Sequence, residues 1–149
     1  MSVKFVHTNI IALDWEKLAQ FYIKVFGCEP VYPERNLKGE WLDRVTNLKE
    51  AHIKGTHLRL PGYTDGPTLE LFTYKEQNEN KELPAINKPG FAHIAFLVDD
   101  VKVYYTKVLE HGGSALGEMA EKKIEGIGTL TVAYMRDPEG NIVEILNWK

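Results

Sequence analysis

The chain repeats itself, and this duplication constrains its fold more than any other feature. Val6-His7-Thr8-Asn9-Ile10-Ile11-Ala12 recurs 86 positions later as Ala92-His93-Ile94-Ala95-Phe96-Leu97-Val98. Both are β-like apolar runs with one histidine near the start. At the same offset Asp14 matches Asp100 and Gly27 matches Gly113. Each Asp can cap a helix by accepting a backbone N–H bond, and each Gly can end that helix in the left-handed conformation. Between them Leu18, Phe21, Tyr22 and Val25 recur at helical spacing, as do Val101, Tyr104, Tyr105, Val108 and Leu109. A second match runs at an offset of 74. It lays the run from Asp65 to Phe72 over the run from Glu139 to Leu146, each an acidic-Gly turn feeding a strand with one central Glu. The 12 residues between the two offsets are extra chain in the first repeat. They are expected at Asn36–Glu50, where Gly39 to Val45 reads as an inserted helical turn or lid.

Each repeat therefore reads as β-α-β-β-β, and the fold class as α+β. The boundaries are module one at 1–74, a linker rich in Lys, Glu, Asn and Pro at 75–89, and module two at 90–149, together one domain of 149 residues. Net charge is −3, with 44% hydrophobic and 26% charged residues. That balance is ordinary for a globular protein and offers no footprint for nucleic acid or an anionic membrane. No apolar run reaches the roughly eighteen residues that would span a bilayer. Met1 to Phe5 carries no signal-peptide pattern. Cys28 is the one cysteine, so no intrachain disulfide forms; it reads as packing, and a cytoplasmic location is expected.

Strand alternation puts His7 with Phe5, Asn9 and Ile11, and His93 with Phe91, Ala95 and Leu97. It puts Glu70 with Phe72 and Tyr74, and Glu144 with Ile142 and Leu146. A carboxylate on a partly apolar face is costly unless it is paired, protonated or bound to metal. Two imidazoles and two carboxylates, one pair per repeat, point to a common centre on a pseudo-twofold axis. Neutral imidazole and carboxylate suit divalent transition metals. The expectation is that His7, Glu70, His93 and Glu144 hold one divalent metal ion: nickel, zinc, cobalt, manganese or iron. Octahedral geometry would leave two adjacent positions for waters or for two vicinal substrate oxygens. Glu144 and Glu70 are then the candidate catalytic bases.

These segments, together with Gly90-Phe91-Ala92-His93 and Asp137-Pro138-Glu139-Gly140-Asn141, resemble the vicinal-oxygen-chelate superfamily over nearly the whole chain. That group includes glyoxalase I, methylmalonyl-CoA epimerases, extradiol dioxygenases, and fosfomycin and bleomycin resistance proteins. The resemblance implies two tandem βαβββ modules whose curved mixed sheets enclose a metal cleft, and a homodimer. Glyoxalase I-like members have His, Glu, His, Glu as here. Dioxygenases and fosfomycin-resistance enzymes use three protein ligands and not the one at Glu70. Epimerases carry Gln there and a further Glu near residue 53, where this chain has Ile53. Bleomycin-binding members lack the ligands altogether. The resemblance thus implies a lyase or isomerase acting by proton transfer on a chelated small molecule, with room for a thiol such as glutathione as co-substrate. The alternatives are an iron-dependent extradiol-type dioxygenase and a non-enzymatic drug-binding resistance protein.

Other residues read more plainly. His52, His57 and His111 have no matching partner in the other repeat and are expected to be structural or surface. Asn9 shares the face of His7 and is a candidate contact to substrate or water. Trp41, Tyr32 and Tyr74 are candidate cleft walls, although aromatics at these spacings are more often core. Arg35, Arg59, Lys122, Lys123 and Arg136 are candidates for holding a substrate carboxylate, although such residues are more often solvated. Asp137-Pro138-Glu139-Gly140 is a turn by its chemistry.

Overall fold

A computed structural model describes residues 2–78 and 82–149. The chain divides into two compact units, Met1–Asn80 and Lys81–Lys149. The boundary falls inside the expected linker, of which residues 79–81 lie outside the described residues.

The first unit runs β1 (His7–Ile11), α1 (Trp15–Phe26), β2 (Glu29–Lys38), α2 (Glu40–Thr46), β3 (His52–Arg59) and β4 (Thr68–Tyr74). Its sheet order is β1-β4-β3-β2, with β1 parallel to β4 and the remaining pairs antiparallel. Asp14 starts α1 by accepting from the Lys17 backbone N–H at 3.1 Å, and Gly27 ends it at φ 72°. The helix buries Leu18, Phe21, Tyr22 and Val25 against one face of the sheet, where Leu58, Leu69 and Leu71 are fully buried. Thr73 locks the corner, its hydroxyl donating to Ala12 O at 3.0 Å and accepting from Trp15 N at 3.1 Å.

The segment expected as an insertion, Asn36–Glu50, begins in the end of β2 and contains the short helix α2. The Asp43 carboxylate accepts from the backbone N–H groups of Glu50 and Ala51 at 2.9 and 2.7 Å, closing the loop back onto β3. Leu42 packs with Ala51, Ile53 and Phe72, and with half-buried Leu37 and Tyr74. Ile53 and Phe72 alternate with the residues that face α1, so α2 covers one end of the opposite face of the sheet.

The second unit runs β5 (His93–Leu97), α3 (Val101–Glu110), β6 (Ser114–Ala115), β7 (Ala120–Ile124), β8 (Gly128–Arg136) and β9 (Ile142–Trp148). Its order is β5-β9-β8-β6, with β7 also paired to β8. The strand expected after the helix is thus broken into β6 and β7, which share one neighbour. Asp100 caps α3, accepting from Lys102 N and Val103 N at 2.9 and 3.3 Å. The glycine expectation is corrected here. The left-handed residue after α3 is Gly112, at φ 89°, one position before the matched Gly113. Gly113 is needed for another reason: a Cβ there would stand 2.5 Å from both Arg136 O and Val108 Cγ1. The fold is α+β, with two mixed sheets and three helices among the described residues.

Several expectations meet their outcome in this framework. Cys28 is buried, and burial pushes its thiol up to about 12, which fits packing rather than nucleophilic chemistry. The Asp137 turn is self-satisfied: its Oδ1 accepts from Glu139 N and Asn141 N, and its Oδ2 from the Asn141 side chain. His52 pairs with Asn36 at 2.6 Å and His111 with Lys107 O at 2.8 Å, both local structural contacts. No helix among the described residues is long and apolar enough to cross a membrane.

Candidate metal centre

Strand register builds the site. Asn9 pairs with Glu70 across β1–β4, and His57 pairs with Glu70 across β3–β4. Asn9, Glu70 and His57 therefore form one cross-strand row on the face that α1 does not cover. His7 pairs with Thr68 in the next row, which places it diagonally from Glu70, within reach of long side chains.

The Glu70 side chain, 12% exposed, is held from three directions. Its Oε1 accepts from Asn9 Nδ2 at 2.9 Å and lies 3.7 Å from His7 Nε2. Its Oε2 lies 2.7 Å from His57 Nε2. The far nitrogen of that ring, His57 Nδ1, is 2.9 Å from Thr68 Oγ1. Burial moves the His57 pKa down from the ordinary histidine value, and the positive charge of Arg35 adds to this, while Glu70 pulls the other way. One ligand atom from each of His7, His57 and Glu70 falls within 4.8 Å of the others.

The second unit places its pair at the corresponding points. His93 pairs with Ile142 and Ala95 with Glu144, while Tyr134 pairs with Glu144. The row is Ala95, Glu144, Tyr134, with His93 on the diagonal. His93 Nε2 lies 2.9 Å from Glu144 Oε2, and the His93 and Tyr134 rings meet edge to face at 5.1 Å. Burial, and then the charge of Glu144, push the Tyr134 hydroxyl above its usual pKa.

Of the four residues expected from the sequence, the structure thus brings His7 to Glu70 and His93 to Glu144. Each is a nitrogen donor beside a carboxylate on a half-buried face. Two donors on bonds of about 2.0–2.2 Å to one ion stand roughly 3 to 4 Å apart. The separations of 3.7 and 2.9 Å and the imidazole–carboxylate chemistry fit a divalent metal.

His57, expected to be structural or surface, lies against Glu70. It has no counterpart histidine in the second repeat, and its contact comes from the β3–β4 register. The eight-residue connection 60–67 between the strands hides that register from a reader of the sequence. Asn9, expected at substrate or water, donates to Glu70 Oε1. Among the cationic candidates, Arg59 pairs with Glu29 at 3.3 Å and Arg136 donates to Gly140 O at 2.6 Å. Arg35 donates to Pro33 O, while Lys122 and Lys123 lie exposed on β7. Tyr32 lines a groove with Trp15, Thr56 and Leu58, on the helix side of the sheet and away from His57. Trp41 donates to Lys38 O at 3.1 Å and is exposed.

The chain matches the family model described as Glyoxalase/Bleomycin resistance protein/Dioxygenase superfamily over residues 4–145. It is 26% identical over 149 residues to a probable lactoylglutathione lyase of Vibrio parahaemolyticus, covering 98% of this chain and 91% of that protein. It is 30% identical over 145 residues to the uncharacterized protein YwbC of Bacillus subtilis, covering 97% of each. The fold matches the crystal structure of a glyoxalase family protein from Bacillus cereus with a TM-score of 0.83 at 17% identity, over 99% of this chain and 95% of that one.

Proposed function

Because the chain belongs to the glyoxalase/bleomycin resistance protein/dioxygenase superfamily, we propose that it is a metal-dependent lyase or isomerase of the glyoxalase I type. His7 and Glu70 of the first unit and His93 and Glu144 of the second would hold one divalent ion. The supporting observation is the duplicated pair: a His and a Glu meet diagonally on the same face of both sheets. Chance core placement produces one such pair far more readily than two at matched register.

When bound, the ion supplies Lewis-acid polarisation to two adjacent oxygens of a small substrate. The two imidazoles are neutral donors, and the two carboxylates balance the charge of a divalent ion. Glu144 and Glu70 are the groups that take a proton from the carbon beside a carbonyl and return it to the neighbouring carbon. The name of the Vibrio relative supports an α-oxoaldehyde adduct of a thiol such as glutathione as substrate. A homodimer in the cytoplasm completes the reading.

Elemental mass spectrometry of the purified protein, beside Glu70→Ala and Glu144→Ala, tests it. About one nickel, zinc, cobalt or manganese per chain, lost in both variants, is the expected result. A wild type that takes up no metal after reconstitution overturns the catalytic reading and leaves a ligand-binding module. A second reading has its own support. It is the iron-dependent extradiol-type dioxygenase, which needs three protein ligands and not Glu70; His7 would join His93 and Glu144, whose side chains already meet at 2.9 Å. Iron retained in Glu70→Ala, with activity that requires oxygen, would select it.

A further inference from the structure

We propose that His57, Thr68 and Asn9 form a brace on Glu70, as positioning residues that hold its carboxylate in one orientation for the metal. This rests on the metal reading above and adds three residues to it. The argument starts from hydrogen-bond chemistry. An ionised carboxylate only accepts, so the 2.7 Å contact to Glu70 Oε2 requires the proton of His57 on Nε2. His57 Nδ1 is then an acceptor, and the Thr68 hydroxyl 2.9 Å away is its donor. A one-way chain results: Thr68 O–H to His57 Nδ1, and His57 Nε2–H to Glu70 Oε2.

The other oxygen faces the other way. Oε1 accepts from Asn9 at 2.9 Å and stands 3.7 Å from His7, the separation two donors to one ion adopt. Glu70 would thus offer Oε1 to the metal while His57 occupies Oε2. Outer partners of this kind orient a ligand and set its tautomer or direction. The second unit lacks the device. The register counterparts of Asn9, His57 and Thr68 are Ala95, Tyr134 and Ile142, and among the described residues Glu144 is held by His93.

The test combines two measurements on the full-length protein with zinc. Long-range nitrogen NMR of the histidine rings reads the His57 tautomer without metal and after zinc addition. Zinc affinity by chelator competition is read in His57→Phe, His57→Gln and Thr68→Val, each beside its thermal unfolding. The expected result is an Nε2–H tautomer in both states. His57→Phe should lose about ten- to a hundredfold in zinc affinity, and His57→Gln, which keeps a donor, should stay within about threefold. Thr68→Val should fall between them. Coordination of zinc by His57 Nε2 overturns the brace and makes His57 a ligand, with the metal reading intact. A His57→Phe protein with wild-type affinity overturns the brace. So does His57→Gln weakened as far as His57→Phe, since a donor would then not be the point. Wild-type protein that binds no zinc overturns the metal reading and the brace together.

Discussion

The two units carry the same strand–helix–strand plan and the same His–Glu pair, yet they treat the carboxylate differently. In the first, Glu70 sits between Asn9 and His57 and is held at both oxygens. In the second, Glu144 sits between Ala95 and Tyr134 and is held at Oε2 by His93. The corners differ in the same way. Thr73 ties Ala12 O and Trp15 N together with one hydroxyl. Asn147, 74 positions later, donates to Val98 O but leaves its own buried Oδ1 without a hydrogen-bond partner among the described residues. The two repeats share the His–Glu positions and differ in the residues that surround them.

The largest effect that would break this comparison concerns the carboxylates. Glu70→Gln and Glu144→Gln should each lower proton-transfer activity on an α-oxoaldehyde–thiol adduct by at least about a hundredfold. If only one of them does, followed by solvent-deuterium incorporation into product, the units are not equivalent in the chemistry. The inserted helix comes next, since the second unit has no helix at that point. Leu42→Ala should cost about 2–5 kcal/mol of stability in urea unfolding, because it empties the cluster with Ile53 and Phe72.

The glycines at the two helix ends sharpen the contrast. Gly113→Ala should destabilise by about 1–3 kcal/mol through its clash with Arg136 O and Val108. Gly27→Ala, with open space but φ 72°, should cost about 1 kcal/mol. Calorimetry of the pair reads the difference, and equal losses would mean that both sites respond to φ alone. The smallest effect is at the second corner. Asn147→Thr should be neutral or stabilise by up to about 1 kcal/mol, because a hydroxyl can serve Val98 O without leaving an amide oxygen buried and unpaired. A loss of stability there would show that the corners are not interchangeable.

Much of this was legible before any coordinates. The offset of 86 located the first strand and the helix cap of both units, because an Asp cap acts through a local backbone bond. The offset of 74 located the Glu strands, because period-two alternation is also local. Gly113 shows the limit of such matching. The residue aligned with Gly27, but the left-handed turn moved to Gly112, and Gly113 answers to the close approach of Arg136 O on another strand. Likewise β6 and β7 share a position that looked like one strand, since pairing to β8 is not written in either segment.

What the sequence by itself determined, then, is the duplicated α+β plan, the helix ends that act through neighbouring backbone, and the placing of His7, Glu70, His93 and Glu144 on faces where a half-buried carboxylate demands a partner. Tertiary structure alone decided which partners they have. His57 reaches Glu70 because β3 and β4 pair with those two residues opposite each other. Register is a property of two strands together, set by how their apolar faces meet the helix beneath them.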